Sequence, residues 1–443
     1  MTTSEEYRAL GESAWSWVLD HVCGDDGPWL PEVVDEDDRQ TVPAPDRDSL
    51  YAGIAGLVPV LSEVGQHRSW TGYEQALAHG IAARLATQAR TRTEPSLYDG
   101  LAGDVTALRM LEPGSEAVAL RRLVDLATPE GWETRVLEHR GIVTCLTDVT
   151  AGSAGIVMTA VWAGGEHAAS IATTGGEALL EIADATDDGL DWPQLRGATS
   201  RMPNFSHGTA GVASALAVAG AALDRPDFVE AAVRGARHLL AIGTLDDTGF
   251  VVPHTIPPST REVEPVTWNW CHGPAGTSYL FAALAHAGVT EVGGYGVTDL
   301  RLRCLDAVLA SGVPQRLRPG FWDNDGRCCG TAGVGEALLD AAQDSPDPAR
   351  ARALVDAART MGDALVERAV VDADGARWRF VEHRRDPSLL PAGTSWMQGA
   401  AGIAAYLLRL SRVVDDGTAA PVVDRPDQWW AVPAGVRTVH TAD

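Results

Sequence analysis

Residues 208–220 read GTAGVASALAVAG: two glycines three apart, then an unbroken run of Ala, Val, Leu and Ser. With no charge on any face, such a run reads as a helix buried on all sides. The pattern returns six more times. GIAGLVPVL starts at Gly53, GLAGDVTAL at Gly100, GSAGIVMTAV at Gly152, GPAGTSYLFAAL at Gly273, GTAGVGEALL at Gly330 and GAAGIAAYLL at Gly399.

Successive first glycines lie 47 to 69 residues apart, the size of a helical-hairpin repeat. Between them run amphipathic stretches such as 227–242 (DFVEAAVRGARHLLAI), with Arg and Glu on one face. Each unit therefore pairs an inner helix with an outer one and leaves no room for strand–helix alternation. The expected fold is all-α: an α/α toroid, a double-layered barrel of seven helical-hairpin repeats. It forms a single domain over 1–443, with a repeat core of about 49–410 and a loosely attached C-terminal tail over 411–443. An open superhelix of hairpins is the competing architecture. The signature glycines are expected to permit positive φ and close backbone approach. In a ring, all seven inner helices start at the same end, so the residues just before each signature converge on one mouth.

The chain carries a net charge of −25, and its 35 cationic residues are all arginine. That field repels phosphate backbones and excludes nucleic acid as a partner, whereas a neutral or cationic substrate suits it. No uncharged apolar run is long enough to span a membrane. The acidic N-terminus lacks a signal-peptide pattern, so a cytoplasmic protein is expected. Six cysteines in such a compartment point to metal binding or catalysis rather than a disulfide frame.

The chemistry sits at one offset. Cys271 and His272 immediately precede Gly273, and Cys328 and Cys329 immediately precede Gly330. His207 precedes Gly208, Asp148 lies four residues before Gly152, and Trp396 and Gln398 precede Gly399. Cys271, Cys328 and Cys329 on adjacent units make a three-thiolate zinc site; three protein ligands with an open fourth position is the catalytic arrangement. Read alone, the Cys328–Cys329 pair would pass for two small buried hydrophobes. His207 is the candidate acid/base and Asp148 a candidate catalytic partner, although an aspartate there is also a natural helix cap. Trp268, Trp270, Trp322 and Trp396 cluster near these loops. Trp270, Trp396 and His272 are the candidate substrate contacts. The long interruptions at 243–265 and 371–391 read as flaps on the rim or as connectors.

The seven signatures, the Trp270-Cys271-His272-Gly273 element and the Cys328-Cys329-Gly330 element together resemble the lanthionine cyclase family over roughly 49–410. The resemblance implies an α/α toroid with one zinc ion at its mouth. It implies closure of (methyl)lanthionine thioether rings, by addition of peptide cysteine thiols to dehydroalanine or dehydrobutyrine. The partners it implies are a dehydrated precursor peptide and a separate dehydratase. On it, Cys271 and Cys328 match the first two zinc cysteines, and Cys329 stands where relatives commonly place histidine. His207 matches the acid/base histidine, and Asp148 the active-site aspartate. An arginine that some members carry is replaced by Thr267, with Arg261 a substitute. Three thiolates put more electron density on the metal and imply a reactive, promiscuous cyclase. The rival readings are a related protein that adds glutathione or another small thiol to dehydrated residues, and a non-catalytic binding partner of a dehydratase. A toroidal glycosidase would want paired carboxylates at the mouth, where Asp148 and Asp99 stand amid sulfur.

Overall fold

The computed structural model describes residues 2–24, 26–34, 42–43, 46–135, 137–138, 141–259, 264–315, 324–381 and 388–438. Each signature opens an inner helix: α2 (Leu57–Gly65), α4 (Leu101–Leu111), α6 (Ser153–Ala163), α8 (Thr209–Leu223), α10 (Pro274–His286), α12 (Thr331–Asp344) and α14 (Ala400–Asp416). Each of these packs on the next, and α14 packs on α2, so the inner layer is a closed ring rather than an open superhelix. Six outer helices follow their inner partners: α3 (Gly72–Gln88), α5 (Ala117–Leu126), α7 (Ala168–Ile182), α9 (Pro226–Ile242), α11 (Val297–Ala310) and α13 (Pro348–Arg368).

The seventh outer helix comes from the other end of the chain. α1 (Ser4–Asp20) lies against α14, with Thr3 and Glu6 forming a capping box at its start. Tyr7 on α1 donates to Asp363 on α13, and Trp15 Nε1 donates to Glu74 on α3 at 2.7 Å. Residues before the 49–410 core thus close the outer ring.

None of the signature glycines has positive φ. Their role is steric. In every copy, a side chain on the second glycine would strike the carbonyl oxygen six residues earlier, at 1.8 Å for Gly276 and 1.9 Å for Gly333. The loop that carries the residues before each signature crosses the first turn of its own helix at backbone contact.

These seven loops hydrogen-bond to one another in a cycle. Tyr51 N donates to Tyr98 O, Tyr98 N to Thr150 O, Val149 N to Ser206 O and Ser206 N to Cys271 O. Cys271 N then donates to Cys328 O, Cys328 N to Met397 O and Met397 N back to Tyr51 O. Six of the seven donors stand two residues before a signature glycine, which is why chemistry at that offset converges. Neighbours at the strand spacing of ~4.8 Å make a seven-membered ring about 11 Å across.

The C-terminal segment is not a loose tail. α14 runs on to Asp416, and Val422, Val423, Arg425, Asp427, Gln428 and Trp430 are buried. The segment meets α2, α10, α12 and α14, filling the axis of the barrel. It also explains why α12 and α14 are not apolar all round. Arg409, wholly buried, donates to Glu336 at 2.7 Å and pairs with Asp340 at 2.6 Å. Arg425 reaches Glu336 at 3.2 Å, and Asp427 accepts from Arg327 at 3.0 Å. Charges this deep persist because they are paired.

Short hairpins appear in the connections, contrary to a purely helical reading. The hairpin of Thr244–Asp246 and Gly249–Val251 lies against α11, so that part of the 243–265 interruption is a connector. The second interruption reaches the mouth. Arg379–Val381 and Leu389–Gly393 join Pro31–Val34 and Val42–Pro43 in an antiparallel four-stranded sheet in the order 379–381, 389–393, 31–34, 42–43.

Candidate active site

A cavity of roughly 610 Å³ opens at the mouth, floored by the hydrogen-bonded loops and walled on one side by that sheet through Glu32, Val33, Phe380, Leu390 and Pro391. Cys271, Cys328, His207 and His272 line it. Cys329 lies behind them and completes the sulfur trio. The three Sγ atoms fall within 4.8 Å of one another, and Cys271 Sγ is 3.9 Å from Cys329 Sγ. Tetrahedral zinc with Zn–S bonds of about 2.3 Å separates its sulfurs by ~3.8 Å, so the donor set fits zinc. All three residues are buried and none forms a disulfide.

The electrostatics point the same way. The Cys271 and Cys329 thiols donate to Cys328, with Tyr51 assisting, and hold it well below the ordinary thiol range despite burial. Burial pushes Cys271 and Cys329 well above that range. Three buried sulfurs therefore share one negative charge comfortably, and deprotonating all of them calls for a cation. Asn269 Oδ1 lies 3.2 Å from Cys271 Sγ, and Gln398 Nε2 donates to Cys329 Sγ at 3.7 Å.

His207 stands in the unit next to Cys271. Its Nδ1 donates to Asp148 Oδ2 at 2.6 Å, which leaves Nε2 as the reactive nitrogen. Asp148 is wholly buried behind it, accepting also from Ala151 N at 2.8 Å, Thr150 Oγ1 at 3.3 Å and the Gln194 amide. Burial pulls the His207 pKa down, but the hydrogen bond to Asp148 and its charge outweigh that and raise it. The His272 ring lies 5.3 Å from His207 and 4.3 Å from His254. Burial, then the charge of its two neighbours, drives the His272 pKa well below the usual histidine range.

The two tryptophans expected to contact substrate sit elsewhere. Trp270 is buried edge-on against Tyr98 and Phe205, with centroids at 5.8 and 5.5 Å. Trp396 is buried beneath the Arg327 and Arg425 guanidiniums at 4.9 and 5.7 Å. Both support the floor rather than line the cavity, while His272 does line it. Trp322 and Arg261 lie outside the described residues. Thr267 is buried, its hydroxyl donating to His272 O at 3.0 Å. Tyr51 and Gln194 are site residues that the sequence reading missed. Tyr51 carried the offset signal, two before Gly53; Gln194 belongs to no signature and carried none.

A family model described as lanthionine synthetase C-like protein matches residues 44–416. Among solved structures, nisin cyclase superposes with a TM-score of 0.53, covering 82% of this chain and 88% of its own at 14% identity, a likeness of fold. No curated protein matches by sequence. Among the described residues, no helix is long and apolar enough to cross a membrane.

Proposed function

The chain belongs to the lanthionine synthetase C-like family, and we propose that it closes (methyl)lanthionine rings in a dehydrated precursor peptide, with zinc held by Cys271, Cys328 and Cys329. The observation that carries this reading is the buried sulfur trio, two of whose members line one cavity with a carboxylate-oriented histidine. When bound there, zinc supplies Lewis acidity that lowers the pKa of an incoming thiol.

The chain's own residues handle the proton. Asp148 fixes the His207 tautomer and steadies its cationic form. Neutral Nε2 accepts the proton that the peptide thiol loses. The sulfur forms a bond to the β-carbon of the dehydro residue, and the C=C π pair moves toward the amide carbonyl as an enolate. His207 Nε2 then returns the proton to the α-carbon. Thiol and alkene become a thioether without oxidant, reductant or leaving group. The acidic chain favours a neutral or cationic peptide.

The experiment supplies a dehydrated, cysteine-containing peptide and counts free thiols with a maleimide by mass spectrometry, alongside metal analysis of wild type and Cys328→Ala. Loss of maleimide adducts by wild type and one zinc per chain, both abolished in the variant, is expected. A metal-free wild type, or peptide thiols that stay fully reactive, defeats the reading.

A further inference from the structure

The loop ring places the sulfur trio in units five and six, and the unit diametrically opposite in a ring of seven is unit two. There, immediately before Gly100, stands Asp99, which lines the cavity. Its backbone carbonyl accepts from Arg92 Nη2 at 2.7 Å, but among the described residues its carboxyl makes no hydrogen bond or ion pair. Arg92 is committed elsewhere, to Asp104 at 2.6 Å and to Asp46. The charged groups that act on Asp99 are Glu94 on its own loop, Asp46 on the segment before α2, Arg92 at the end of the α3 connection and Asp148 before α6. Three of these four are acidic.

Ring closure develops negative charge on the carbonyl oxygen of the dehydro residue. Among the described residues that line the cavity, none is Arg or Lys. Several lining donors are already engaged: Tyr51 with Cys328, Tyr98 with Asp427, Gln194 with Asp148 and Gln398 with Cys329. We propose that Asp99, as a neutral carboxylic acid, is a further catalytic residue that donates a hydrogen bond to that carbonyl oxygen and stabilises the enolate. The proposal rests on the ring-closing reading. The Asp99 proton is shared, not transferred, and the thiol proton still travels through His207 to the α-carbon. An ionised Asp99 would repel the enolate, whereas a neutral acid in a preorganised cavity stabilises it. Burial, followed by the charges of Glu94 and Asp46, pushes its pKa up to about 7, which keeps the acid form available near neutrality.

The test measures kcat against pH for the zinc-loaded wild type, Asp99→Asn and Asp99→Ala on the dehydrated peptide. Wild type should lose rate as pH rises through about 7. Asp99→Asn keeps a neutral donor and should stay within about fivefold of wild type while losing that alkaline fall, whereas Asp99→Ala should drop about 10²–10³-fold. An Asn variant as poor as the Ala variant, or an Ala variant equal to wild type, overturns the proposal. Infrared difference spectra of wild type minus Asp99→Asn at pH 6 give a readout independent of turnover. A protonated-carboxyl C=O band is expected, and its absence overturns the proposal whatever the rates. A wild type without cyclase activity sinks the ring-closing reading and this one together; an active wild type matched by Asp99→Ala sinks only this one.

Discussion

Gly333→Ala should strip the metal while leaving the barrel folded. The new Cβ would lie 1.9 Å from the Arg327 carbonyl oxygen and 2.9 Å from its carbon, with backbone rather than a flexible side chain in the way. Restoring ordinary contact requires the two backbones to separate by about 1 Å or more. The part free to yield is the loop that carries Cys328 and Cys329 one and two residues beyond Arg327. A metal site tolerates ligand errors of only ~0.2 Å, so the sulfur trio opens past what zinc accepts. Overpacking costs about 1–3 kcal/mol, offset by about 1 kcal/mol because Ala is the better helix former. The net loss is small for a domain of this size, and the fold survives. Gly211→Ala is the control: its Cβ meets the Phe205 carbonyl at 2.0 Å and Val149 Cγ2 at 2.5 Å, a backbone clash of the same kind with an added side-chain contact, in a unit without cysteines. Zinc per chain and thermal midpoint are measured for both. Similar midpoints with zinc lost only from Gly333→Ala are expected. Full zinc in Gly333→Ala would refute the argument that the glycine sets the ligand positions.

Asp148→Asn removes the group that outweighs burial at His207, so the protonated imidazole should survive only to lower pH. The acidic limb of the kcat profile, set by the neutral Nε2 that must accept the thiol proton, then moves down, and kcat falls by about 10²–10⁴ as orientation and tautomer control are lost; an unmoved limb contradicts this. Because the folded His207 pKa is raised, the pair stabilises the fold fully below the unfolded value of about 6.5. That contribution fades as pH rises through the folded value, and denaturant midpoints of Asp148→Asn should lack it. Arg409→Met leaves Glu336 and Asp340 buried with one fewer cation and should cost about 3–5 kcal/mol. A denaturant midpoint equal to wild type would show that Arg425 and Arg327 alone neutralise the axis.

Much of the site was legible because it repeats. Cys271 and Cys328 stand two residues before their glycines and His207 and Cys329 one residue before theirs, and a periodic backbone carries each step to the same place in every unit. Asp148 fell outside the strict offset, and its place behind His207 came from a side chain reaching across to the next unit. Gln194 was silent, because nothing local marks a glutamine in a connector as a carboxylate's partner. Trp270 and Trp396 misled for a related reason. Their offset placed them at the floor, but offset does not say on which side of the floor a side chain falls. Packing on Phe205 and beneath two guanidiniums turned both inward.

By itself the sequence determined the number of units, the inner and outer helix of each and the loops on which the chemistry sits, since these follow from glycine spacing and apolar runs read locally. Only the tertiary structure decided how the ring closes and what fills it. α1 serves the seventh unit from the far end of the chain, and the C-terminal segment enters the axis to pair Arg425 with Glu336 on α12. Both are pairings between residues far apart in the chain, 89 positions for Arg425 and Glu336, set by complementary surfaces and buried charge that no local pattern encodes. The same holds for Asp99, whose place opposite the sulfurs exists only once seven units have closed into a ring.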